Sequence, residues 1–147
     1  MTRGRGQSTI ELIAGVMVLI PLVLFLVDAC IITVCSFKND SICREACRAA
    51  ASGDPKACES NAKAEVEKAN TGGFATYSLT SATAKNVETP ASGHGLVSGS
   101  VTVNTSAMVH APFVIGLIVP NFKLDTEQSF PITYNIPYKE EKEETKE

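Results

Sequence analysis

Histidine is scarce in this chain, and the short motifs that carry catalysis are missing. His94 and His110 are the two histidines among 147 residues. They stand sixteen positions apart, one in a glycine-flanked loop and one in a strand-like stretch, with no matched nucleophile or carboxylate beside either. Spacing therefore assembles no acid–base or nucleophilic constellation. The sequence holds no HExxH, no CxxC and no glycine-rich phosphate loop. Basic charge shows no excess either: the formal net charge is -3, and the acidic surplus sits largely in the tail KEEKEETKE. That balance excludes a basic face suited to nucleic acid. No enzyme, cofactor or metal site is expected.

Charge is also nearly absent from one long stretch. Between Leu12 and Val34 the ionisable side chains are Asp28 and the thiol of Cys30, and about 20 apolar residues suffice to cross a bilayer as a helix. The head MTRGRG carries Arg3 and Arg5 and no acid, which by the positive-inside rule holds the amino terminus in the cytoplasm and sends the rest across. The apolar stretch is longer than the ~7–15 residues of a secretory signal core. It is read as a retained single-pass anchor. A chain released by signal peptidase near Ala29 is the weaker alternative, since Val27-Asp28-Ala29 comes near a cleavage site.

Beyond the span, SFKNDSICREACRAAASG continues the helical pattern with Ile42, Ala46, Ala49 and Ala50 near one face. Ser52-Gly53 stops it. Asp54-Pro55 restarts a second helix, because aspartate favours the N-cap and proline the first helical position, and KACESNAKAEVEKAN runs on to Gly72-Gly73. From Phe74 three stretches rich in Thr, Val, Ser and aromatics read as strands, separated by turns at PASGHG and Pro120-Asn121. The expected fold is α+β: a long amino-terminal transmembrane helix extended into a helical hairpin, then a small antiparallel sheet of three or four strands whose apolar face packs on the second helix.

Five cysteines fall at positions 30, 35, 43, 47 and 58. Cys30 and Cys35 are read as packed small residues. In the hairpin Cys47 precedes the turn and Cys58 follows it, at similar heights, so Cys47–Cys58 is the preferred disulfide and Cys43–Cys58 the alternative. The segment APFVIGLIVP, residues 111–120, is almost wholly apolar and too short to span a bilayer. Two readings of it stay open: a buried strand or loop that completes the core, or a surface that docks on another subunit or rests on the membrane.

One stretch carries more specific information. Arg3-Gly4-Arg5-Gly6 is followed by Gln7-Ser8-Thr9-Ile10-Glu11, then by the apolar run with Pro21 inside. A short basic leader ending in glycine, a glutamate five residues on, and a proline in a continuous apolar helix resemble the class III signal of type IV pilins and pseudopilins. The wording GQSTIEL with a following LIP, and the CREACRAAASGD segment ahead of a strand-rich part, are similar to the TadE-like minor pseudopilins of the tight-adherence (Tad or Flp) pilus. Gln7, where ordinary pilins begin with Phe or Met, and Leu12, where Tad major pilins often place tyrosine, point to a minor component.

The resemblance implies a pilin-like fold, with residues 1–6 as leader, 7–35 as transmembrane and assembly helix, 36–72 as exported hairpin, 73–138 as strand-rich head and 139–147 as a charged tail. It implies cleavage between Gly6 and Gln7 by a prepilin peptidase, leaving Glu11 as the fifth residue of the mature chain. It further implies that Glu11 pairs with the terminal ammonium of Gln7 on a neighbouring subunit, that Pro21 belongs to the assembly helix, and that Asp28 stands where the family often carries a late acidic residue. The implied partners are other pilin subunits, the peptidase, the assembly platform and the membrane. The implied location is the bacterial inner membrane with a periplasmic or extracellular head, serving pilus assembly for adhesion or secretion. The competing expectation is a signal-anchored binding protein unrelated to pili, whose leader stays on and for which Glu11 is dispensable.

Overall fold

A computed structural model describes residues 4–70, 72–91 and 95–136, with side chains from Thr9 onward. The start of the leader, His94 and the charged tail 139–147 lie outside the described residues. The chain opens with one helix, α1, from Gly4 to Ser52. It passes through Pro21 without interruption, although proline removes one helical donor. Most of the apolar side chains up to Val34 face outward, with Leu12, Met17, Leu22 and Leu26 exposed, while Ile31 and Ile32 pack in part against the core. Such a surface is stable only against lipid or other protein. α1 is thus long and apolar enough to form a single membrane span or signal anchor.

The turn forms as its residues dictate. Asp54 accepts a hydrogen bond from the Lys56 amide at 2.9 Å and caps a short 3-10 turn over Pro55–Ala57, which leads into α2, Cys58–Ala69. At the far end of α2 the Asn70 side chain donates to the Tyr77 carbonyl at 2.7 Å and accepts from the Tyr77 amide at 2.8 Å. This reciprocal pair starts the first strand.

Strands β1 (Ala75–Glu88), β3 (Ser98–Val109) and β4 (Phe122–Pro131) form an antiparallel sheet in the order β1-β3-β4. A two-residue ribbon pairs β2 (Gly95–Leu96) with β5 (Asn135–Ile136). The α+β architecture thus follows the sequence expectation, with this small ribbon added. The β1–β3 register slips twice, between Leu79 and Ser81 and between Lys85 and Glu88. At the second slip Gly99 has φ +146, and a Cβ there would press on the carbonyls of Lys85 and Asn86, so glycine is required by conformation and by space.

Alternation along β3 divides the sheet. Val101, Val103, Thr105, Ala107 and Val109 are buried toward the helices, while the opposite face carries polar side chains such as Asn104, Lys123, Asp125 and Glu127. One expectation is corrected here. The inner face does not rest on the second helix alone: α1 covers β3 and β4, and α2 covers β1. The reason lies in α1 itself, whose inner stripe of Cys43, Ala46, Cys47 and Ala50 is small enough to let the helix approach the sheet closely.

The thiols take part in that approach. Cys43 Sγ donates to the Val103 carbonyl at 3.3 Å, and Cys47 Sγ to the Val101 carbonyl at 3.4 Å. Cys58 Sγ points to the Ala82 carbonyl on β1. All five cysteines are free thiols, so neither the Cys47–Cys58 bridge nor its Cys43 alternative is formed. Cys43 and Cys47 face the sheet, whereas Cys58 faces a different strand from the other helix.

Burial pushes the Cys43 and Cys47 thiols above their ordinary value of 9.0. In the unfolded chain these groups lose their protons first, so between the two values the unfolded state binds fewer protons. Their contribution is therefore full below pH 9.0 and is lost as pH rises through the raised folded values. Urea midpoints of the full chain in detergent should hold steady from neutral pH and fall in this alkaline range. Replacing both thiols by alanine should flatten that arm; an unchanged alkaline fall in the double variant would refute the assignment.

Candidate functional site

Most of the residues singled out from sequence lie along the amino-terminal, apolar part of α1. Gly6 and Gln7 lie in the first turns of α1; their side chains are outside the described part. Glu11 is exposed on α1, near the start of an outward-facing apolar surface. Pro21 follows on the same helix. Asp28 stands seventeen residues after Glu11, about 26 Å along a helix rising 1.5 Å per residue. The structure does not bring Glu11 and Asp28 together.

Asp28 is wholly buried, at 0 % exposure, and its partners are distant in sequence. The carboxylate accepts from the Phe113 amide through Oδ1 at 3.1 Å and from the Ile115 amide through Oδ2 at 2.8 Å. Those two amides open the apolar segment 111–120, which folds into a short helix, α3, Val114–Ile118. A buried carboxylate is costly unless its oxygens receive donors. Here each oxygen receives one, and two backbone N–H groups are satisfied at the same time.

The segment thus takes neither a strand nor a buried-loop form. Ala111 is buried, whereas Leu117 is 88 % and Ile118 75 % exposed. Gly116 lets the turn close on the Ala111 carbonyl, where any Cβ would collide. The Leu117 amide donates to Phe113 O at 3.3 Å and the Val119 amide to Ile115 O at 2.7 Å. At a similar height along α1 runs an apolar groove of about 470 Å³, with Leu26, Cys30, Val34 and Phe74 in its lining.

Higher on α1 a second set of contacts repeats every four residues. Asn39, at 0 % exposure, donates to the Leu124 carbonyl and to Thr126 Oγ1, both at 3.1 Å, and accepts from Thr105 Oγ1 at 3.1 Å. Cys43 and Cys47 follow with their carbonyl contacts, and the Ala51 carbonyl accepts from the Thr133 amide at 2.9 Å. Asn39 escaped the sequence reading because a lone asparagine among the charged residues of a helix reads as solvent-facing. Its i, i+4, i+8 alignment with Cys43 and Cys47 was the available signal.

At the sheet edge the Lys123 ammonium lies 3.1 Å from Asp125 and holds that carboxyl below the ordinary range. His110 is exposed at the neck of the 111–120 segment. Among the described residues no group of three His, Cys, Asp or Glu side chains is placed to hold a metal ion. No family model, curated protein or solved structure matches the chain.

Proposed function

We propose that the chain is a non-catalytic minor subunit of a Tad-type pilus, resembling the TadE-like pseudopilins, anchored in the bacterial inner membrane with its head on the outer side. The observation that carries this reading is the register of Gly6, Gln7 and Glu11 at the mouth of one uninterrupted helix that also forms the spine of the head. In this reading a prepilin peptidase removes the basic leader after Gly6. The new Gln7 ammonium of one subunit then meets Glu11 of a neighbour, where an unpaired carboxylate at the membrane boundary gains a counter-ion. Docking of a further subunit is favoured because it relieves that isolated charge.

The deciding measurement is amino-terminal sequencing of the membrane-extracted protein after coexpression with a prepilin peptidase. A mature chain beginning at Gln7 is expected. Glu11→Ala should leave that cleavage intact and block incorporation into filaments. A chain that retains Met1, or a soluble product beginning near Cys30, would remove the pilin reading and select the signal-anchored or released alternative.

A further inference from the structure

We propose that residues 111–120 form a second membrane contact: an apolar finger that enters the outer leaflet beside α1 and seats the head on the bilayer. This rests on α1 spanning the membrane; it does not require assembly into a pilus.

The height of the finger along α1 carries the argument. After Glu11 the next exposed charged side chain on α1 is Lys38, whose ammonium lies 5.3 Å from the Tyr77 ring. A lysine ammonium belongs at or beyond the membrane–water boundary. The finger is held at Asp28, ten residues earlier on the helix, about 15 Å below Lys38 toward the membrane. From Leu12 to Phe37 the surface of α1 exposes no charge, a length of about 39 Å against a hydrocarbon core of about 30 Å. Some of this apolar length therefore extends into the interfacial layer, and α3 lies alongside it.

The composition of the finger agrees with its height. Between His110 and Lys123 no residue is ionisable, and its outward side chains are Phe113, Leu117, Ile118 and Val119. Phe122 and Phe74 are exposed at the same end of the sheet, where Val109 pairs with Phe122 and the His110 amide donates to the Phe74 carbonyl. Together these residues continue the exposed apolar surface of α1 sideways. A protein loop can enter lipid only if its amides find partners without water. Asp28 supplies those partners at the entry of the loop, from a position shielded from lipid. This accounts for a carboxylate late in the span: it substitutes for water at the base of the finger.

The chain contains no tryptophan, so a single introduced one reports its own surroundings. Leu117→Trp and, as a reference in the span, Phe25→Trp would be placed in the full chain and reconstituted in phosphatidylcholine vesicles carrying bromine at defined acyl depths. Leu117→Trp is expected to show a blue-shifted emission, quenched roughly twofold by lipids brominated close to the headgroup, as for a segment seated 5–10 Å into the interface. Adding Asp28→Ala should weaken that quenching. Quenching of Phe25→Trp alone, with Leu117→Trp emitting as in water and open to acrylamide, would overturn the finger while leaving the span. A blue-shifted Leu117→Trp indifferent to bromine and dependent on the protein-to-lipid ratio would assign the surface to a second subunit, again overturning the proposal. Absence of quenching at both positions would refute span and finger together.

Discussion

Asp28→Ala is expected to raise the hydrogen-exchange rate of the Phe113 and Ile115 amides about a hundredfold, equivalent to about 3 kcal/mol of lost docking energy, because hydrogen bonds to charged groups contribute about 1.5–3 kcal/mol each. Both oxygens of Asp28 are engaged, one by each amide, so alanine removes both acceptors at once. Asparagine keeps one carbonyl oxygen and replaces the other by a donor, so Asp28→Asn should fall between, at about tenfold. The series separates an acceptor role from simple space-filling. Failure to insert would not explain the alanine result, since removing a charge makes the span more apolar. The sheet core around Val101 and Val103 does not involve Asp28, and urea unfolding of the head should shift by less than about 1 kcal/mol, as for sites with no shared partners. Equal exchange in wild type and Asp28→Ala would show that the two bonds hold nothing in place.

Asn39→Ala acts on the head itself. Thr105 Oγ1 loses its acceptor, and the Leu124 carbonyl and Thr126 Oγ1 lose a donor, all around a side chain with no solvent exposure. Orphaned buried polar groups cost about 1–3 kcal/mol each, so a loss of about 3 kcal/mol is expected once some of them find other partners. Asn39→Asp should be worse than alanine. It keeps the acceptor for Thr105 but turns the amide donor into a second acceptor facing the Leu124 carbonyl, and it buries a charge as well. Urea unfolding of the full chain in detergent measures both variants. An aspartate variant as stable as wild type would show that the Asn39 network is not formed as described.

Much of this architecture was legible, for reasons specific to particular residues. Ser52-Gly53 and Asp54-Pro55 carry stop and start signals that depend only on local backbone chemistry, and the turn forms there. Thr- and Val-rich stretches became strands because their side chains suit a pleated, half-buried surface. Asp28 and Asn39 were opaque for the opposite reason: their partners lie 85 and more positions away for the first, and 66 to 87 for the second. A local reading cannot see such pairs. The 111–120 segment hid its helix because a continuous apolar run has no periodicity to read, and because α3 depends on a carboxylate from another element. The cysteines misled through their spacing, since equal height in a hairpin does not fix which way a side chain points. Cys43 and Cys47 look toward the sheet.

The unbroken course of α1 sets how the molecule can turn. A shaft running from Gly4 to Ser52 without a joint, stitched to the sheet at Asn39, Cys43 and Cys47 and to the segment after β4 at Ala51, leaves no swivel between the apolar rod and the head. Rotating the rod by one residue's step of roughly 100° would swing the whole head through the same angle. Whatever grips the shaft near Glu11 therefore also aims the polar side of the sheet, about 40 to 55 Å away by helix rise, in one compass direction.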